Sequence, residues 1–366
     1  MAFAFIKHDT KIDFIGKRHI AYVLSILLIL VGLGSALWGN GLRMGIDFAG
    51  GVIVQVQFAQ PVEDELLKKS LDIPELPGIS TQRFGEGARN YLLRFSSAED
   101  TDAATLRTTV LSALAKAFPG NDVDIQRLEM VGPKVGDDLT NKALGALYYA
   151  TLLIAVYISG RFEQRWMAGV AMAAVLWGGM YLAGLTGLGM GWLVLMALVI
   201  TMVVCFVLKL NLALGALVVF IHDVSITVGL LSIMDVEIDL NVMAALLTLV
   251  GYSLNDTIIV YDRLRENLRA APKQPLASLI NCSVNQTLSR TILTSGTTFV
   301  ATLSLYLLGG GVIHDFALTM LIGVFVGTAS SIYVSSAVLL ALGDTAFYVH
   351  QQERPVYEKP GEHGIV

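Results

Sequence analysis

Three ionisable residues lie where the sequence offers them no water. Asp223 follows His222 near the middle of one apolar run, Asp256 falls inside the next in Gly251-Tyr252-Ser253-Leu254-Asn255-Asp256, and Arg290 begins the run after that. A charged Asp or Arg at a bilayer centre costs on the order of 2.5–3.5 kcal/mol on insertion scales, so such a residue needs a partner or a task. Desolvation favours the neutral acid and a nearby cation favours the carboxylate, so a proton there can come and go with access to either aqueous face. That is the chemistry of a proton relay. Asp256 and Arg290 stand at comparable depth, roughly a turn from the ends of their runs at ~1.5 Å per residue, and could pair. The plainer alternative is that Arg290 snorkels to the interface while the aspartates hydrogen-bond neighbouring helices for packing alone.

Other chemistries find no footing. Gly16-Lys17 lacks the earlier glycine of a phosphate-binding loop, so no ATP site and no enzyme activity is expected. Gly187-Leu188-Gly189-Met190-Gly191 is flanked by apolar runs with no strand before it, and reads as a turn. The histidines and the two cysteines, Cys205 and Cys282, show no metal-ligand spacing, so neither metal nor cofactor is expected, nor a disulfide. Gly323-x-x-x-Gly327 is read as a close helix contact. Asp262, Arg263, Arg265 and Glu266 are read as a solvated helix end and His314-Asp315 as an exposed loop.

The elements that must position these residues are mostly membrane spans. The chain of 366 residues is 54% hydrophobic and only 15% charged, with a mean hydropathy of +0.65, so lipid is its main solvent. The first run, Ile20 to Trp38, follows Lys7, Lys11, Lys17 and Arg18, and its length suits a retained span better than a cleaved signal. Later runs lie at 143–160, 166–186, 190–208, 212–233, 240–261, 287–308 and 316–342, which with the first makes about eight transmembrane helices. Trp166 to Leu208 carries no charge and is too long for one helix, so Thr186 to Gly191 is expected to turn a hydrophobic hairpin.

Between the first run and the second the apolar character breaks up. Val52, Val54, Val56 and Phe58 alternate with Gln55 and Gln57, a half-buried strand. A helix is predicted over Pro61 to Asp72, strands over Ile79 to Phe84 and Tyr91 to Phe95 joined at Gly85-Glu86-Gly87, a helix through Leu106, Val110, Leu114 and Phe118, and a last strand over Val123 to Val131. That order is ferredoxin-like. The division is 1–41 for the N-terminus and first span, 42–140 for an extracytoplasmic α+β domain, 141–345 for the helix bundle and 346–366 for a tail.

Basic residues near span ends stay in the cytoplasm. Arg161, Arg165, Lys209, Arg263, Arg265, Arg269, Lys273 and Arg290 fall on one side with the basic N-terminus and with Arg354 and Lys359, whereas Asp235, Glu237, Asp239 and Asp315 occupy the opposite loops. Both termini are therefore expected in the cytoplasm and the α+β domain outside.

Two stretches then become recognisable. Gly45-Ile46-Asp47-Phe48-Ala49-Gly50-Gly51 and the run from Val250 through Asn255-Asp256 to Asn267 resemble signatures of the SecF family, and Arg290 to Thr298 and Thr319 to Gly323 resemble later segments in the same order. The resemblance implies an RND-type architecture in which two similar membrane halves work as one unit. It implies a SecD partner, action beside the SecYEG channel on unfolded exported chains in the bacterial inner membrane, and use of the proton-motive force, with lipid around it and no nucleic-acid partner. By the same resemblance Asp256 and Arg290 fall on the proton pathway, with Asp223 a further member, and Gly45, Asp47, Phe48, Gly50, Gly51, Gly251 and Asn255 are motif positions. The glycines of Phe48-Ala49-Gly50-Gly51 are read as a structural turn. The family usually has six spans, so the hairpin over 166–208 is a departure. The alternatives are a small-molecule or lipid transporter of the same architecture and a proton-independent scaffold.

Overall fold

The computed structural model describes residues 10–38, 41–71, 73–74, 76, 78–84, 87–95, 102–163, 166–184 and 189–343. Lys7, Gly85-Glu86, Arg165, Thr186 to Leu188 of the expected hairpin turn, and the tail with Arg354 and Lys359 lie outside these residues.

The α+β domain has the expected order: β1 (Gly51–Phe58), α3 (Asp64–Ser70), β2 (Ser80–Phe84), β3 (Asn90–Phe95), α4 (Ala103–Ala117) and β4 (Val123–Val131), preceded by the short α2 (Ile46–Ala49). Its strands pair antiparallel in the order β2-β3-β1-β4. The alternation seen in the sequence turns Val52, Val54, Val56 and Phe58 onto Leu67, Tyr91, Leu93, Val110 and Leu114, all buried. Each such side chain contributes about 1.5–3 kcal/mol on leaving water. Gln55 and Gln57 hydrogen-bond Gln126 across the opposite, open face. α3 is shorter than predicted because Glu63 remains extended.

The membrane part comprises α1 (Arg18–Trp38), α5 (Pro133–Glu163), α6 (Trp166–Gly184), α7 (Met190–Val207), α8 (Asn211–Ile233), α9 (Leu240–Ala270), α10 (Leu276–Leu308) and α11 (Gly311–Leu342). Among the described residues six of these are long and apolar enough to cross a bilayer, while α6 and α7 contribute the shorter apolar helices Gly169–Gly179 and Gly191–Val207. α5, α9 and α10 run well past their apolar windows. Hydropathy marks the length immersed in lipid, but backbone hydrogen bonding carries a helix on into polar sequence until a residue such as Pro133 or Pro275 begins it.

α11 is the hub, packed on α8, α9 and α10, while α1 lies against α8 and exposes most of its other side. Small residues permit the closest approaches: a Cβ on Gly32 would sit 2.6 Å from the Cα of Gly229, and one on Gly327 3.2 Å from the Cβ of Ser253. At the end remote from the sheet, a strap before α1 is sewn to α10. Asn281 accepts from the N–H groups of Phe14 and Ile15, and Asn285 both accepts from and donates to the Ile12 backbone.

Candidate functional site

Helix geometry sets two carboxylates on opposite flanks of the α9–α11 contact. On α8, Asp223 is 1% exposed and has three side-chain partners. One oxygen lies 2.8 Å from His222 Nδ1, while the other accepts from Ser330 of α11 at 2.8 Å and from Ser253 of α9. His222 Nε2 in turn lies 2.8 Å from the hydroxyl of Ser25 on α1. One aspartate thus draws together four helices. Nothing in the sequence flagged Ser25, one of two serines in an apolar run; its role follows from α1 crossing α8 at the Gly32–Gly229 contact.

Asp256, three residues after Ser253 and so about 60° away round α9, turns to α10 and is also 1% exposed. Ser295 Oγ donates to it at 3.1 Å and Thr294 Oγ1 at 3.4 Å, both from α10, and Thr328 of α11 donates to Ser295 at 2.8 Å. The pairing with Arg290 considered from the sequence is not formed: Arg290 is exposed, and no ion pair to Asp256 is made among the described residues. The cause is register. Ser295 stands level with Asp256, and Arg290 is five residues earlier, about 7.5 Å along the helix axis. The guanidinium therefore acts on the carboxylate from a distance.

Around this second site the bundle is open. α9 exposes Gly251 and Asn255, one helical turn apart, and α10 exposes Arg290, Gly296 and Thr297. Among the described residues, no atom beyond the local helix backbone lies within 4 Å of the place a Cβ would take on Gly251 or Gly296. Small and polar groups on a membrane-facing flank suit a neighbouring helix better than lipid.

The glycine motif couples the sheet domain to this machinery. Met44 bridges Ile238 in the α8–α9 loop, and Gly45 N–H donates to Ile238 O at 2.8 Å. Phe48 packs with Leu231, Ile238, Val242 and Leu246. Asp47 accepts from the N–H of Leu240 at 3.0 Å and Asp239 from that of Val242 at 2.8 Å, so two carboxylates satisfy the first turn of α9, the helix that carries Ser253 and Asp256. Gly50 and Gly51 have φ of +73° and +131°, which other residues rarely adopt.

Two smaller readings need correction. Arg265 is buried, with its guanidinium 3.4 Å from Arg161 O, rather than solvated; α9 continues beyond the apolar window and α5 covers it. His314 and Asp315 belong to the first turns of α11 rather than to a loop, with the His314 ring 4.4 Å from that of Tyr306. Cys205 is buried and Cys282 exposed, and neither forms a disulfide among the described residues.

Residues 110–188 and 185–345 match the family model described as protein export membrane protein SecD/SecF, C-terminal, and residues 35–62 match the SecD/SecF GG motif. Protein translocase subunit SecF of Vibrio alginolyticus is 36% identical over 93% of this chain and 93% of its own length. The chain belongs to the SecF family. The SecF proteins of Magnetococcus marinus and of Escherichia coli O157:H7 are 40% and 35% identical over 91% and 95% of this chain, and 92% and 93% of their own lengths. Among solved structures, the crystal structure of SecDF from Thermus, titled as a translocon-associated membrane protein, has a TM-score of 0.67 at 29% identity over 92% of this chain. A SecDF structure in a super-membrane-facing form has a TM-score of 0.54 at 31% identity over 91%. This chain spans 39% of the length of each SecDF chain. The GG-motif match places the SecF signature on the segment that docks against α9.

Proposed function

We propose that this protein is the SecF half of a SecD–SecF unit that promotes protein export across the bacterial inner membrane at the expense of the proton-motive force. The observation that carries this reading is Asp256. It is a buried carboxylate that, among the described residues, accepts from two hydroxyls at 3.1 and 3.4 Å, on a flank that these residues leave open. A carboxylate so loosely held can change its protonation state and its hydroxyl partners together. One charge crossing a 100 mV potential gains about 2.3 kcal/mol, enough to bias two helix arrangements several-fold.

In this reading SecD packs on the flank of Gly251, Asn255 and Gly296, and Arg290 tunes Asp256 through space. Asp223 holds the bundle together. The chain works beside SecYEG on unfolded exported polypeptides, needs no ATP site of its own, and keeps both termini in the cytoplasm with the sheet domain outside. The full activity belongs to the assembled unit, of which this chain is one part.

The test is gradient-dependent export of a secretory client in vesicles holding SecYEG, SecD and either this protein or its Asp256→Asn variant, with insertion and assembly matched. Loss of the stimulation with assembly intact is the expected result. Unchanged stimulation favours the proton-independent scaffold.

A further inference from the structure

The open face of the sheet and the ends of the spans beneath it enclose a polar cavity of about 800 Å³, and its two walls carry opposite charge. On the domain side Tyr91 and Leu93 of β3 turn into the core, so Arg94 stands on the open face, and Arg127 of β4 joins it two strands away. Arg94 pairs with Glu237 through Nη1, but its Nε is buried and makes no hydrogen bond among the described residues. A buried charged donor left over in a cavity wall calls for an anion. The bundle side is acidic, with Asp47 from α2, Asp239 from the α8–α9 loop and Asp315 from the first turns of α11. Burial raises the Asp239 carboxyl above its usual range against the pull of the Val242 N–H and Asn241, and the charges of Asp47 and Asp315 push it further. Crowded carboxylates of this kind call for a cation.

The cavity also runs out to the lipid-facing surface. Part of its rim is Gly309-Gly310-Gly311, the turn between α10 and α11, where no side chain stands. Directly below this sill Leu305, Leu308 and Ile313 are exposed, Leu308 by 87%. A group with an anion and a cation at one end and apolar chains at the other would meet a matching surface at each of its parts.

We propose that this cavity binds the headgroup of a zwitterionic phospholipid with a primary ammonium, phosphatidylethanolamine, drawn from the leaflet next to the sheet domain. The phosphate lies against Arg94 and Arg127, the ammonium against Asp239 and Asp315, and the acyl chains pass over the glycine sill onto Leu305, Leu308 and Ile313. A primary ammonium has three N–H donors for the carboxylates. A choline headgroup carries the charge without donors, and a glycerol headgroup carries no cation. Free phosphoethanolamine shares the polar chemistry but leaves the apolar strip uncovered. The site makes no use of Asp256 or of a proton gradient, so it stands apart from the export reading and can fail separately from it.

The experiment is native mass spectrometry of the full chain in detergent, offered phosphatidylethanolamine, phosphatidylcholine or phosphatidylglycerol of identical acyl chains, with bound lipid counted at each concentration. One phosphatidylethanolamine is expected to be held about tenfold more tightly than either of the others, the worth of one charge-assisted hydrogen bond. Arg127→Gln is expected to weaken all three lipids alike, since all carry the phosphate. The double variant Asp239→Asn, Asp315→Asn is expected to bring the three to one affinity, and asparagine still caps α9. Asp315→Asn alone should show part of that loss and serves where the double variant does not fold. Soluble phosphoethanolamine is expected to compete about a hundredfold less well than the lipid, because even a few buried methylenes are worth that much. Equal retention of the three lipids by the parent, or a preference unchanged in the carboxylate variants, overturns the proposal. Competition by phosphoethanolamine as strong as by the lipid overturns it too, in favour of a soluble ligand.

Discussion

Asp223 and Asp256 are the same side chain, equally buried, on neighbouring helices, yet they are held in different ways. Asp223 has short bonds from His222, Ser253 and Ser330, and helices α1, α8, α9 and α11 all close on it. Moving its proton would disturb four helices at once. Asp256 is held by two longer hydroxyl contacts from one helix, beside a flank that no neighbour covers among the described residues. Two carboxylates of equal burial are therefore held very differently, and the proposal that Asp256 rather than Asp223 carries the proton rests on the number and stiffness of their donors.

The largest effect should come from removing each carboxylate in turn. Asp223→Ala leaves Ser253 and His222 without this acceptor, while Ser330 keeps Gly327 O at 3.0 Å, at roughly 1–3 kcal/mol for each orphaned buried group. Thermal unfolding of the purified protein should show a loss of several kcal/mol and poor recovery from the membrane. Asp256→Ala should unfold close to the parent while failing to respond to a proton gradient. If Asp256→Ala proves the less stable of the two, the distinction collapses. A finer test is Ser295→Ala, which removes the nearer of the two hydroxyls on Asp256 and the link to Thr328. Gradient-stimulated export should fall several-fold with stability changed by only about 1 kcal/mol. A drop in stability with export unaltered would make Ser295 part of the scaffold.

How far this was readable beforehand follows the same physics. The ferredoxin-like order was legible because alternation at Val52, Val54, Val56 and Phe58 and helical spacing at Leu106, Val110 and Leu114 report local geometry directly. Asp223 and Asp256 stood out because an acid in an apolar run is costly wherever it ends up. Their partners were not legible. Ser25, Ser295 and Ser330 are uncharged and common in membrane helices, and which of them meets an aspartate depends on helix register, set by distant contacts such as Gly32 on Gly229. The Asp256–Arg290 pairing failed for that reason: similar depth does not give the same level across a packed pair. The role of Asp47 was equally hidden, since its partner, the Leu240 N–H, lies 193 residues away in sequence.

The smallest effect is expected where the same kind of bond lies on the water side. In the sheet domain the Tyr91 hydroxyl lies 2.7 Å from the Asp64 carboxylate and within reach of Val62 O at 2.5 Å. It is the counterpart of serine on aspartate in the bundle, except that Asp64 remains exposed. Burial, followed by the bond to Asp64 and its charge, pushes the phenol up to about 12. The folded state therefore keeps its proton longer than the unfolded chain, so this contribution is complete below about pH 10 and is lost as pH rises towards 12. Tyr91→Phe should cost only about 1 kcal/mol at neutral pH, because water can still solvate Asp64, and it should remove this part of the alkaline decline. Tyrosinate absorbance and near-ultraviolet circular dichroism across that range, parent minus variant, isolate the one ring. A loss as large as that of Asp223→Ala would mean that donor count alone, and not the surrounding medium, sets the stability of a carboxylate site in this fold.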